Sequence, residues 1–346
     1  MFLNSSSQRQ KKAIARLGIT FIAVLIMGFV VVACAGSSAA IIEEPAAAPS
    51  LTPAPAEMNE TTVKPTEDVY PLMLVDGMDR EVVLPGPAQR IVSIAPSNTE
   101  ILFAIGAGDQ VIGRDDVSDF PSKALEVASI GSTYGELNTE AILALEPDLV
   151  LAATITSPEQ AQTLEALGIP LFLLANPEDF SGLLENIKIV GLLTGHEAEA
   201  GALAEELDAR IKAVTQMAAD AERVSVFYEV DGTDPTAPWT TGVGTFQDVL
   251  IGLVGGENIA ADIAGWGQMS LEEIVTRDPQ VVIFGEGPWV PTTVESFSGR
   301  SGWGEIAAVV DGQVYGIDTN WVDRPGPRLV VALEQMALMI HPELFE

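Results

Sequence analysis

A pattern that occurs twice in this chain sets its architecture. Asn138-Thr139-Glu140-Ala141-Ile142 leads through Pro147-Asp148 into Leu149-Val150-Leu151, and Ser270-Leu271-Glu272-Glu273-Ile274 leads through Pro279-Gln280 into Val281-Val282-Ile283. Each copy reads as a helix cap, a glutamate in the first turn, a short helix, a proline break and a buried strand. Between the copies, His196 to about Ala219 is rich in strong helix formers and free of proline. That stretch predicts one helix of about 24 residues, a rod of roughly 36 Å. A repeated unit on either side of one long rod predicts two similar halves.

The rest of the chain fits that plan. Short apolar runs at 91–95, 149–152 and 171–174 alternate with helical patterns at 97–105, 158–167 and 179–193, which is the signature of a parallel α/β lobe. After the long helix the alternation resumes, with strands near 224–229, 281–284 and 314–317 and helices near 245–254 and 329–340. The predicted fold is α/β: two α/β lobes with parallel-type central sheets joined by one rigid helix. Their bounds are residues 69–193 and 223–346, with 194–222 as the bridge. Tyr70 to Leu84, with apolar runs around Asp76-Gly77, predicts a hairpin ahead of the first lobe. Ser97-Asn98-Thr99-Glu100 has the form of a capping box, which makes Glu100 the partner of Ser97.

The N-terminal segment has a different character. Residues 1–16 are polar and basic, and Leu17 to Ala33 is an uncharged apolar run that ends at Cys34, the single cysteine of the chain. This is the layout of a secretory leader, and Val31-Val32-Ala33-Cys34 resembles a bacterial lipobox. That resemblance implies cleavage before Cys34 and lipidation of it, so residues 1–33 form a lipoprotein signal peptide. The other reading is an uncleaved membrane helix, for which 17 apolar residues lie at the short limit of a bilayer of ~30 Å. Residues 34–68 are rich in Ala, Pro, Glu and Thr without hydrophobic period and read as a disordered tether. Both readings place the body outside the cytoplasm at the outer face of the cell membrane.

The formal net charge of −32 argues against nucleic acid as a partner. A zinc or manganese receptor would need several His and carboxylate ligands around one ion, and the chain has only His196 and His341, both helical and peripheral by pattern. There is no G-x-S-x-G elbow and no central histidine for a hydrolase, and Gly242-Val243-Gly244 is too short for a phosphate loop. No catalytic residue, no metal site and no resident cofactor is assigned.

Five segments in order carry a resemblance: 90–108 (RIVSIAPSNTEILFAIGAG), 137–151 (LNTEAILALEPDLVL), Gly255-Gly256-Glu257-Asn258, 270–283 and Arg324-Pro325-Gly326-Pro327-Arg328. Together they are similar to the class III solute-binding proteins of ABC importers for cobalamin, ferric siderophores and haem. The resemblance spans about residues 70–346, with the binding domain from about residue 90. It implies a ligand cleft between the lobes, little lobe motion, a cargo that contains cobalt or iron, and delivery to a permease dimer with its ATPase subunits.

The family's docking glutamates match Glu140 and Glu272. A carboxylate beside a helix N-terminus is favoured by the dipole and is well placed for an arginine fork; the alternative is that both only complement those dipoles. By the same resemblance Pro96, Ser97, Tyr134, Trp239, Trp266, Asn320 and Arg324 match ligand-contacting positions. Trp321 is a further candidate that could instead pack within the lobe. The pattern departs from the cobalamin binder at Val117 and Ala153, where that protein is aromatic, and at Asn320, where it is acidic. Arg324 could pair with an anionic ligand group, while Arg328, at the start of the last helix, reads as structural. A sensor or adhesion lipoprotein of the same fold would share all these features.

Overall fold

The computed structural model describes residues 70–287, 290 and 292–345. The signal peptide, Cys34 and the tether lie outside the described residues.

The hairpin is formed by β1 (Leu72–Val75) and β2 (Glu81–Leu84), paired antiparallel. Its turn is built around buried Asp76, whose carboxylate accepts the backbone N–H groups of Met78, Arg80 and Leu173. The turn is thereby fastened to the lobe that follows.

That lobe is a four-stranded sheet in the order β4 (Val111–Arg114), β3 (Ile91–Ser93), β5 (Leu149–Ala153), β6 (Leu171–Leu174), with every pairing parallel. β3 and β6 are buried at every position and β5 at all but its last, which is why they read as unbroken apolar runs. Helices α1 (Pro96–Ala104), α2 (Thr139–Ala144), α3 (Pro158–Ala166) and α4 (Phe180–Thr194) complete it.

α4 ends at Gly195, in the left-handed conformation with φ of 75°, where glycine is free of the Cβ penalty. After His196 alone, α5 (Glu197–Ala218) begins. This is the long helix expected from the sequence, and it leads into the second lobe.

The second lobe is a mixed sheet. Parallel strands β9 (Gly256–Asn258), β7 (Val224–Asp231), β11 (Val281–Glu286) and β12 (Val314–Asp318) form its centre. The C-terminal half of β7 pairs antiparallel with β8 (Trp239–Thr241), and β8 pairs antiparallel with β10 (Trp266–Gln268). This antiparallel ribbon extends the expected parallel centre of the sheet and is not legible in the sequence, because three-residue strands with loop-like composition carry no periodicity. Helices α6 (Phe246–Leu253), α7 (Leu271–Arg277), α8 (Val294–Gly299), α9 (Ala307–Val310), α10 (Thr319–Val322) and α11 (Leu329–Ile340) surround the sheet.

The internal repeat is structural as well as sequential. Asn138 Oδ1 accepts Ala141 N–H at the start of α2, and Ser270 Oγ accepts Glu273 N–H at the start of α7. Each unit leaves its helix through a left-handed residue just before the proline, Glu146 at φ 47° and Asp278 at φ 42°. The next side chain in each, Asp148 or Gln280, accepts backbone N–H groups at the start of the lobe's central strand: Gln89 and Arg90 in one, Ser225 in the other.

One apolar core runs through both lobes. Leu102 and Ile105 of α1, Leu183 and Ile187 of α4, Leu207 and Ile211 of α5, and Leu333 and Met336 of α11 belong to one continuous cluster of buried side chains. Separate clusters fill the far face of each sheet. α5 is also held to α11 by a bidentate pair from Arg210 to Glu334, at 2.8 and 2.9 Å.

Candidate functional site

The C-terminal ends of the parallel strands converge on a cleft of about 660 Å³. In an open α/β sheet a crevice forms there, where successive connections leave in opposite directions. β3 is such a point, because its connections run to β4 on one side and its other neighbour is β5. The segments after these strands line one wall: Ala95, Pro96 and Ser97 after β3, Asp116, Val117 and Asp119 after β4, and Thr154 and Ile155 after β5. Asn176, after β6, completes this wall, and Thr319, Asn320, Asp323, Arg324 and Pro325 after β12 form the other. A pocket of about 300 Å³ shares Asn176, Asp323 and Pro325 with the cleft and extends it toward Phe246 and Trp266.

α1 begins two residues earlier than a capping box at Ser97 would place it. Pro96 occupies the first helical turn, where its fixed φ and missing N–H are tolerated, Ala95 is the N-cap, and no side chain caps the helix. Ser97 is therefore inside the helix, and Glu100 is not its capping partner. Glu100 turns instead to the other lobe. Its carboxylate takes a two-pronged hydrogen bond from Arg328, through Nε at 3.0 Å and Nη2, and lies 3.9 Å from Arg324 Nη1. Burial pushes the Glu100 carboxyl up, against the pull of Arg328 and Arg324. Gly326 eases this approach, since a Cβ there would stand 3.3 Å from Glu100 Oε2 and the carboxylate would have to give by a few tenths of an ångström.

Arg324 reaches across as well, with Nη1 2.6 Å from Asp119 Oδ1. The Arg328 guanidinium lies 4.0 Å from the centroid of the Phe120 ring, a cation–π contact. The segment 324–328 is thus a strap from the second lobe tied to α1 and to the loop after β4.

That loop is braced from behind by a buried polar chain. Thr99 Oγ1 lies 2.8 Å from Ser93 Oγ and 2.9 Å from Ser118 Oγ, and Ser118 donates to Asp115 Oδ2 at 2.5 Å. Asp115 is fully buried, which raises its carboxyl. The chain fixes the root from which Asp116, Val117 and Asp119 project.

Tyr134 lines the cleft with 68 % of its surface exposed. Its loop is gripped by Gln160 of α3. Gln160 Nε2 donates to the carbonyls of Thr133 and Gly135, the two neighbours of Tyr134, while Oε1 accepts the Ser157 N–H of the capping box. The sequence gives no sign of this, because the Gln–Ser box is already satisfied locally.

Among the expected ligand-contacting residues, Pro96, Ser97, Tyr134, Asn320 and Arg324 line the main cleft and Trp266 lines its extension. Trp239 lines neither cavity. It lies on the β8–β10 ribbon, where the register Trp266↔Thr241 and Gln268↔Trp239 puts both tryptophans on one face at diagonal positions. Trp321 is not in the cleft: it is half-buried and packs against the main core. Val117 and Ala153, the positions read from the sequence as departures from an aromatic pattern, both line the cleft.

Sequence reasoning missed Asp116, Asp119, Thr154, Asn176 and Asp323. Their common signal is position in the segments that follow the strand ends. Asp323 accepts a hydrogen bond from Gln247 Nε2 at 2.8 Å and opens onto the cleft. Protein crowding on its other sides pushes its carboxyl up to about 6, against the pull of Gln247 and Arg324.

Glu140 and Glu272 are exposed, each in the first turn of its helix in the two equivalent units. Among the described residues no cluster of His, Cys, Asp and Glu could hold a metal ion, and no helix is long and apolar enough to cross a membrane.

Residues 91–320 match the model of a family described as periplasmic binding protein. An uncharacterized ABC transporter substrate-binding lipoprotein of Bacillus subtilis, YvrC, is 32% identical over 298 residues, 84% of this chain and 92% of that protein. A vitamin B12-binding protein of Yersinia pestis is 31% identical over 251 residues, 72% of this chain and 85% of its own. Among solved structures, the periplasmic heme-binding protein RhuT from Roseiflexus sp. RS-1 superposes with a TM-score of 0.67 at 27% identity, covering 75% of this chain and all of that one.

Proposed function

The chain belongs to the periplasmic binding protein family as the substrate-binding protein of an ABC transporter, and on that premise we propose that its cargo is a flat macrocyclic metal complex, a corrinoid first of all. The observation that carries this reading is the pairing of exposed aromatic faces with a polar floor. Tyr134 stands on one lobe and Trp266, with Trp239 diagonal to it, on the other, while Ser97, Asn320 and Asp323 lie between. Aromatic rings offer a macrocycle broad contact at small entropic loss, and the polar groups meet the amides at its rim.

Haem is the second reading, and Tyr134 is the reason for it. Its phenol is exposed in the cleft and could ligate a haem iron.

Delivery runs through Glu140 and Glu272, presented at equivalent first turns for arginines of a permease dimer coupled to its ATPase subunits. Lipid on Cys34 holds the receptor at the outer face of the cell membrane. Among the described residues that line the cleft there is no histidine, cysteine or lysine, and the reading is of a site that binds and releases its cargo.

Tryptophan fluorescence of the full chain, titrated with cobalamin, cobinamide, ferric hydroxamates and catecholates, and haemin, tests the reading. Saturable quenching by a corrinoid that is lost in Trp266→Ala supports it. Quenching by haemin alone, lost in Tyr134→Phe, transfers the assignment to haem.

A further inference from the structure

The cleft carries an excess of one charge. Asp116, Asp119 and Asp323 line it, Glu178 lines its extension, and among the described residues of both cavities the single cation is Arg324. Arg324 is already engaged, 2.6 Å from Asp119 and 3.9 Å from Glu100, with 15% of its side chain exposed. The neighbouring Arg328 is consumed by Glu100 and capped by Phe120. Asp116 is hydrogen-bonded by Ser129, a neutral donor that leaves its charge in place. After pairing Arg324 with Asp119, three carboxylates face the ligand space without a cation.

We propose that the cleft selects its cargo by charge, admitting neutral or cationic macrocycles and rejecting carboxylate-bearing ones, with Asp119 withholding Arg324 from an anionic group. This deepens the assignment above and rests on the cleft being the ligand site. A carboxylate that displaced Asp119 would exchange one anion for another at Arg324 and leave Asp119 unpaired among its neighbours, so the exchange brings no net attraction. A carboxylate placed elsewhere in the cleft meets Asp116, Asp323 or Glu178 at a few ångströms. At such distances, in the intermediate dielectric of a partly open site, each added carboxylate weakens binding about tenfold. An amide in the same place donates to those carboxylates and is favoured.

The net charge of −32 also repels anions, but that long-range field is screened beyond about 8 Å in physiological salt and further as salt rises. Contacts inside the cleft are screened much less, so salt separates the two.

The test is calorimetric titration of the full chain with three matched pairs: cyanocobalamin against its monocarboxylic acid, haemin dimethyl ester against haemin, and a neutral ferric trihydroxamate against an anionic ferric tricatecholate. In the series that binds, the uncharged member is expected to bind about tenfold tighter or more, in ordinary and in high salt. Asp119→Asn, at an exposed position that does not risk the fold, is expected to narrow the gap by releasing Arg324; Asp116→Asn narrows it by removing a repulsive charge. An acid member that binds as tightly as its partner overturns the inference, and so does a preference that vanishes in high salt. A preference seen only among porphyrins or siderophores keeps charge selection and sinks the corrinoid assignment. Corrinoid binding indifferent to amide hydrolysis does the reverse, and no binding in any series sinks both.

Discussion

Glu100 and Arg328 lie 228 residues apart in sequence and join the first helix of one lobe to the last helix of the other through a two-pronged ion pair. The carboxylate side chain is 2% exposed and the guanidinium 16%. Breaking such a pair leaves a buried charge without its partner, which costs more than the intact pair contributes. Glu100→Ala is therefore expected to lower unfolding free energy by about 3 kcal/mol. Adding Arg328→Met should recover most of that loss, and strictly additive losses in a denaturant double-mutant cycle would contradict the pairing.

Asp323 gives the stability a pH dependence with a defined sign. Its carboxyl titrates at about 6 in the folded protein, against about 3.9 when unfolded. Between these values the native state holds a proton that the unfolded state has lost, so this group's contribution falls as pH rises from about 4 to about 6 and is flat outside that window. The groups around it are Gln247, Arg324 and the buried phenol of Tyr228. Asp323→Asn should gain stability relative to the parent chain across that window in melts taken at successive pH values. A parallel course for the two proteins would refute the assignment.

Trp239, Trp266 and Trp321 should separate by what they lose. Trp266→Ala and Trp239→Ala are expected to weaken cargo binding by about 1–2 kcal/mol each with little change in melting temperature. Trp321→Ala, which opens a gap beside the core, should lower the melting temperature first. Affinity and melting temperature measured on the same three samples decide this.

Gln160 positions Tyr134 without touching the cleft. Gln160→Ala frees the carbonyls on both sides of Tyr134 and also removes a cap partner from α3. The expected result is weaker binding with faster dissociation, while Gln160→Glu, which keeps the cap acceptor but loses both donors, reproduces the binding defect with less effect on stability. Equal affinity in Gln160→Glu and the parent would remove Gln160 from the site.

Docking through Glu140 and Glu272 predicts a defect confined to delivery. Glu140→Ala and Glu272→Ala should bind cargo normally, since both side chains are exposed and away from the cleft lining. Each should reduce receptor-stimulated ATP hydrolysis by a reconstituted transporter, and the double variant should abolish it. Full stimulation by the double variant would place docking elsewhere.

Much of this architecture is readable from local pattern, because fully buried parallel strands and proline-ended helices leave strong periodic signals. The repeat around Glu140 and Glu272 is legible to the level of its caps, Asn138 and Ser270. Contacts that pair distant residues are not legible. The 97–100 motif satisfies a local capping rule, yet Pro96 starts the helix earlier and frees Glu100 for an arginine in the other lobe. Asp119 and Asp323 carry no motif, and only the packing of the two lobes brings the loop after β4 and the segment after β12 to one cleft. Trp321 follows a strand end and has no sequence mark to set it apart from the ligand candidates, yet it falls in α10 and packs against the core.

The single core that runs from α1 through α5 into α11 has a consequence for traffic at the transporter. A body held by one continuous core is expected to open and shut little, and so to present nearly the same outline empty as full. If the transporter recognises that outline through Glu140 and Glu272, vacant copies compete with laden ones for the same berth. Uptake then depends on the ratio of the two populations, and surplus receptor in a cargo-poor medium slows import.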